Sequence, residues 1–204
     1  MLPSRPIGFA GIAFALAVAT TAYVIWTAVI PMIDGRGWPH HDDHLRLILP
    51  HIAGGVTMIT LGSLNVFLGW TGRTRPWHKW IGRAYLLGGT FACVLVVVMA
   101  VVAPHEPRSL YVATGTLAAV WIAVAAMGWR AARNGRFDSH REWMIRSYVL
   151  SWTFVGCRLA TQVDFYPWLE SEGVTAAIWV NWIVPLVLCE IALRWKEGAP
   201  AAVA

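Results

Sequence analysis

Two segments of the chain place a histidine at the start of an apolar run and follow it with an arginine. His78 stands five residues before Arg83, and His140 stands six residues before Arg146. Neutral imidazole is a good ligand for haem iron, and a guanidinium suits a haem propionate. The pattern predicts one haem b held by two histidines from different helices, or a quinone bound at the same place. The simpler alternative is contact with lipid head groups or pairing with nearby glutamates.

Stripes of polar and small residues run along three apolar segments. Members of a stripe are three, four or seven positions apart, which places them on one face of a helix. The stripes are His51, Gly55, Met58, Gly62, Asn65 and Gly69; His78, Gly82, Tyr85 and Gly89; and His140, Ser147, Ser151, Arg158 and Gln162. Polar groups are costly in hydrocarbon, so we expect these faces to point into a helix bundle.

The elements that position these residues are membrane-spanning helices. Of 204 residues, 57% are hydrophobic and 13% are charged, whereas about 25% are charged in ordinary soluble domains. This composition excludes a soluble globular protein, a disordered tail and a nucleic-acid module. Because about 20 apolar residues span a bilayer, six apolar runs predict an all-α, six-helix transmembrane bundle. It forms a single domain over 1–204, with spans over about 7–33, 47–69, 82–103, 109–129, 143–163 and 174–195.

The basic residues predict that both termini are cytoplasmic. Of sixteen Lys and Arg residues, three then fall in outer loops (Arg36, Arg46 and Arg108), Arg158 lies within the membrane, and twelve lie on the inner side. The net positive charge is thus a topology signal, and we expect a multi-pass protein of the bacterial cytoplasmic membrane. The outer loop would contain the His40–His44 cluster, for which a solvated loop is favoured over a metal site.

In this topology the ionisable residues form two layers. The inner layer contains His78, Arg83, His140, Arg146 and Glu190, and the outer layer contains His51 and Arg158. The inner layer is the candidate cofactor site, with His78 and His140 as haem ligands, because anchoring at the interface would need only Lys or Arg. Spans two, three, five and six should form the polar core, with spans one and four more peripheral. Simpler roles are an i, i+4 pair of Glu190 with Arg194 and outward snorkelling of Arg158.

These residues also carry a resemblance to a known family. The motifs are HIAGG from His51, the His78–Tyr85 segment, HREWMIRSY from His140, Arg158, and Asn181-Trp182 with Glu190. They resemble a bacterial family of predicted membrane proteins, domain of unknown function 2306, over about residues 47–194. The resemblance implies a multi-span helical membrane protein and implies no activity.

Three classes of function remain open at this point. The protein can be a membrane redox component with haem b or quinone, a proton, ion or small-solute transporter, or a non-catalytic assembly subunit of a membrane complex. The sequence contains no GxSxG, HExxH or P-loop motif, so enzymatic activity stays undecided. Membrane lipids, a quinone or another membrane subunit are the expected partners, and nucleic acid is not.

Overall fold

A computed structural model of the protein describes residues 7–33, 45–71, 77–102, 108–162 and 172–197, which are helical almost throughout. The helices are α1 (Ile7–Val24), α2 (Ile30–Ile33), α3 (Leu45–Thr71), α4 (His78–Val102), α5 (Arg108–Arg133), α6 (Phe137–Ser151), α7 (Thr153–Gln162) and α8 (Gly173–Glu197). A π-helical turn over Ile25–Val29 joins α1 to α2. The His40–His44 loop lies outside the described residues.

Five helical segments are long and apolar enough to cross a membrane. They are Gly11–Val29, Arg46–Gly69, His78–Val102, Arg108–Arg133 and Gly173–Trp195. Their outward faces carry large apolar side chains, such as Leu87, which is 71% exposed. Apolar faces of this kind suit contact with lipid and not with water. The predicted all-helical, multi-pass membrane bundle is confirmed.

The predicted span over about 143–163 corresponds to a helix in two pieces. α6 begins earlier than predicted, at Phe137, and the helix is interrupted at Trp152 before α7 begins. The two pieces have 15 and 10 residues. Each is shorter than the roughly 20 residues that a bilayer core requires.

Side-chain donors also bond to helix carbonyls close to the interruption, at the Ser147 carbonyl oxygen. This oxygen accepts hydrogen bonds from Ser151 Oγ (2.8 Å) and from Trp121 Nε1 of α5 (3.1 Å). In an α-helix each amide normally bonds to the carbonyl four residues back, but the Trp152 amide bonds to the carbonyl of Val149, three residues back. The normal acceptor of the Trp152 amide is the Tyr148 carbonyl, one residue after Ser147. Side-chain donors to helix carbonyls bend a helix, and α5 supplies one such donor beside this turn.

α3 and α4 are antiparallel neighbours that approach closely at glycines. A Cβ atom at Gly54 would lie 2.9 Å from the Gly88 carbonyl oxygen, so a larger residue would push the helices apart. The register pairs His51 with Ala92, Met58 with Gly89, Gly62 with Tyr85, and Asn65 with Gly82. The stripes predicted on these two helices therefore face each other.

The main hydrophobic core includes residues from α3, α4, α5, α6 and α8. We predicted a peripheral place for α5, and this is wrong, because Trp121 in its middle is only 2% exposed. Small residues on the buried face of α5, such as Ala125 and Gly128, let it pack closely against α6. α1 packs on α3 and α7 through Val24, Ile59 and Val155.

The orientation in the membrane stays a prediction, which reporter fusions can check. A phosphatase that is active only outside the cytoplasm should be inactive when fused to the C-terminus or after Asn134. The same reporter fused after Pro104 should be active, because the positive-inside rule places that loop outside. Phosphatase activity at the C-terminus would overturn the orientation.

Candidate functional site

His78 and His140 lie side by side in the first turns of α4 and α6. Their ring centroids are 6.2 Å apart, and the ring planes are almost perpendicular at 84°. His140 Nδ1 is 2.9 Å from the backbone oxygen of Gly128 in α5. Because a carbonyl only accepts, Nδ1 carries the proton and Nε2 keeps a lone pair. A ring fixed in this way through one nitrogen presents the other to a ligand.

Two buried polar atoms, one in this pair and one on α3, have no hydrogen-bond partner among the described residues. They are Nδ1 of His78 and Oδ1 of Asn65, which belongs to α3. Asn65 faces Gly82, one turn after His78, and a Cβ atom at Gly82 would lie 3.7 Å from Asn65 Nδ2. A buried polar group left unpaired costs about 1–3 kcal/mol. Two such groups near one glycine indicate a place where a polar ligand would be stabilising.

A layer of hydroxyl groups lies further into the membrane on the same helix faces. Tyr85 follows His78 by seven residues, and Ser147 follows His140 by seven residues, which is about 10 Å along each helix. The Tyr85 hydroxyl oxygen lies 3.0 Å from Ser147 Oγ and 3.1 Å from Ser151 Oγ. Trp121 Nε1 donates to Ser151 Oγ at 3.2 Å. The histidine pair and this hydroxyl layer thus form two polar levels of one site.

Gly62 separates the two tyrosines of the site. A Cβ atom there would lie 2.8 Å from Tyr148 Cδ2 and 3.0 Å from Tyr85 Cε2. The Tyr148 hydroxyl is 2.7 Å from Ser63 Oγ. The sequence singled out neither Ser63 nor Trp121. Ser63 follows Gly62 of the α3 stripe, and Trp121 is a tryptophan in the middle of its span. Other serines and tryptophans of the chain share these features, so the sequence alone does not single out these two.

Arg146 joins α6 to α8 through a bidentate ion pair with Glu190. Its Nε bonds to Glu190 Oε1, and its Nη2 donates to Oε2 at 3.0 Å. Nη1 lies 3.3 Å from Glu142 Oε2, and the guanidinium is 4.8 Å from the Trp143 ring centroid. The alternative in which this arginine pairs with glutamates is thus the observed arrangement. Both of its hydrogen-bonding edges are occupied.

Arg83 belongs to the surface of α4. The residue is exposed, and its guanidinium lies 4.9 Å above the ring of Trp80. The structure therefore does not bring Arg83 to the histidine pair, although the sequence groups them. A stacked cation beside an exposed tryptophan is typical of the membrane–water interface.

The two predicted outer residues are brought together. His51 Nδ1 is 2.9 Å from the Ala92 backbone oxygen, and Arg158 of α7 is close enough for its charge to act on the His51 ring. Ala92 is fourteen residues beyond His78 on α4, about 21 Å along the helix. The predicted site residues therefore occupy separate places at different depths, and the side chain of Gln162 lies outside the described residues.

Residues 48–193 match the family described as "Predicted membrane protein (DUF2306)". The chain belongs to this family. The match covers all of α4 to α7 and nearly all of α3, so every candidate site residue of this DUF2306 protein falls within it. No curated protein and no solved structure matches the chain.

The arrangement in this DUF2306 protein limits the chemistry of the site. The groups at the inner level are hydrogen-bonding groups: two imidazoles and an amide, with buried hydroxyls beyond them. They can bind oxygen atoms of a small head group and exchange protons with it. Among the described residues, no group of three or more His, Cys, Asp or Glu side chains is placed to hold a metal ion.

Proposed function

We propose that the protein is a membrane redox component that binds the head group of a quinone or quinol beside His78, His140 and Asn65. The observation that carries the proposal is the pair of unpartnered buried atoms, His78 Nδ1 and Asn65 Oδ1. A flat ring with an oxygen at each end can hydrogen-bond to two such groups at once. Gly82, one turn after His78, presents no side chain to Asn65, which favours a ligand lying against the backbone.

The two groups suit both redox forms of such a head group. A quinol offers two hydroxyl donors, which Asn65 Oδ1 and an unprotonated His78 Nδ1 accept. A quinone offers two acceptors, and it is bound when the amide of Asn65 rotates and His78 carries its proton on Nδ1. Imidazole changes its protonation readily near neutral pH, so His78 is the group we expect to exchange a proton with the ligand.

A haem b at the same histidine pair is the other candidate that the sequence favours. Metal–nitrogen bonds near 2 Å place two ligand nitrogens about 4 Å apart, which the ring separation of 6.2 Å permits. However, Asn65 packs toward Gly82, one turn after His78, and a macrocycle needs more space than a single ring. Arg146, expected beside a propionate, already bonds Glu190 and Glu142. These residues fit a small head group better than a haem.

Ligand binding to the purified protein tests the proposal. The protein is titrated with a short-chain quinone analogue, and quenching of fluorescence from its 13 tryptophans reports binding. Asn65→Ala and His78→Ala should each weaken binding about tenfold or more, since tenfold corresponds to about 1.4 kcal/mol and each variant loses one hydrogen bond. Asn181→Ala is the matched control, because that amide already donates to the Ala177 carbonyl.

Absorbance spectra separate the two cofactors. The proposal predicts no haem band in the oxidised or dithionite-reduced protein, and a quinone in the organic-solvent extract of protein purified with its lipids. A Soret band that is lost in His78→Ala would show that the site binds a haem and not a quinone. Equal analogue binding by Asn65→Ala and the unaltered protein would remove the amide from the site and refute the proposal.

A further inference from the structure

An apolar layer lies between the hydroxyl level of the site and the outer histidine. It consists of Trp121, Met58 and Gly89, from three different helices. A Cβ atom at Gly89 would overlap the Trp121 indole and lie 2.8 Å from Met58 Sδ, so the three residues are in direct contact. Along α3 and α4 this layer lies between the contact of Gly62 with Tyr85 and the contact of His51 with Ala92.

The hydroxyl protons bordering this layer point away from it. Ser151 Oγ donates to the Ser147 carbonyl at 2.8 Å, and Ser147 Oγ donates to the Met144 carbonyl at 3.0 Å. Both acceptors lie toward the start of α6, on the side of the histidine pair. Trp121 Nε1 donates to Ser151 Oγ and to the Ser147 carbonyl oxygen. Among the described side chains, no hydrogen bond crosses from this level to His51.

We infer that Trp121 seals the inner site from the far face of the membrane, so that protons exchange with the bound head group only through the face at which α4 and α6 begin. This inference rests on the proposed function. Its physical basis is that proton movement needs a continuous chain of water or hydrogen-bonding groups, which a packed apolar layer interrupts. If the predicted orientation holds, the accessible face is the cytoplasmic one.

Removing the indole should open the barrier. In Trp121→Ala the vacated space is bordered by the hydroxyls of Tyr85, Ser147 and Ser151, and a cavity with such polar partners takes up water, whereas an apolar one stays dry. The protein is reconstituted in liposomes containing a pH-sensitive dye, and proton entry is driven by a potassium diffusion potential. We expect proton entry at the empty-liposome level for the unaltered protein and about tenfold above it for Trp121→Ala, as water fills the gap.

Trp129→Ala is the matched control, because this tryptophan lies on the same helix and is exposed. It should stay tight, as should Trp121→Phe, which keeps an aromatic ring in the layer. A trapped carboxylate dye must be retained by every variant, so that a general leak is recognised. If Trp121→Ala does not fold, Met58→Gln introduces a polar group into the same layer at similar volume and should also conduct protons.

The result separates this inference from the proposed function. A conducting unaltered protein, or tight Trp121→Ala and Met58→Gln variants, would overturn the seal whether or not a quinone binds. Failure of the quinone titration, by contrast, would refute only the proposed ligand. Proton entry through Trp121→Ala would still show that Trp121 forms the barrier.

Discussion

Replacing Glu190 by leucine should lower the free energy of unfolding by about 2–3 kcal/mol. Arg146 is only 6% exposed and would lose both bonds of its bidentate pair, keeping the longer contact with Glu142. Breaking a buried ion pair costs about 3–5 kcal/mol, and we expect less here because the Glu190 side chain is 40% exposed. Thermal unfolding in detergent should show a midpoint about 5–10 °C lower.

Two further variants distinguish an uncompensated charge from lost packing. Arg146→Met combined with Glu190→Leu removes both charges and should recover most of the lost stability, because an apolar pair needs no charged partner. Glu142→Leu should cost less than about 1 kcal/mol, since that carboxylate is partly exposed, one turn away, and makes only the longer contact of 3.3 Å with Arg146. A double variant less stable than Glu190→Leu alone would contradict this, because it would show that Arg146 still stabilises the protein through Glu142 and Trp143 when Glu190 is absent.

Replacing Gly89 by alanine should lower the free energy of unfolding by about 2 kcal/mol. The added methyl group would overlap the Trp121 indole and lie 2.8 Å from Met58 Sδ, in a part of the core where the indole is almost fully buried. Overpacking of this kind costs about 1–3 kcal/mol, more than the gain in helix propensity of up to about 1 kcal/mol.

The same substitution at Gly115 should have the opposite effect on stability. Nothing lies within 4 Å of a Cβ atom at this α5 position, so only the gain in helix propensity remains. Its stability should rise by about 0.5–1 kcal/mol. The two variants are compared by thermal unfolding under identical conditions. If Gly89→Ala is as stable as Gly115→Ala, Trp121 is not held tightly against α4, and the apolar layer is looser than described.

Helical periodicity predicted which residues face inward, but not which helix each of them meets. Gly62, Tyr85 and Ser151 are all buried, as their stripes indicate. The period of 3.6 residues fixes a face from sequence alone, because it depends only on backbone geometry. That Tyr85 meets α6 depends on the arrangement of helices that are distant in sequence, and spacing carries no information on that arrangement.

The features that sequence analysis missed all depend on partners from other helices. The Trp121 indole of α5 bonds a carbonyl of the fifth span close to Trp152, and the role of Asn65 is visible only once Gly82 lies opposite it. Hydropathy measures the fifth span as one run because it carries no information on hydrogen bonds to helix carbonyls. The ion pair of Arg146 was one alternative among several, since either of two glutamates, or lipid, could satisfy the same guanidinium.

The broken span has a consequence for how the chain is made. α6 and α7 carry Arg146 and Arg158, and neither helix is among the five segments able to cross a membrane. At a helix centre each arginine opposes insertion through the translocon by about 2.5–3.5 kcal/mol. The carboxylate that neutralises Arg146 lies on α8, which leaves the ribosome later. We therefore expect this segment to enter the bilayer together with its neighbours, because the Arg146–Glu190 pair can form only after Glu190 has been synthesised.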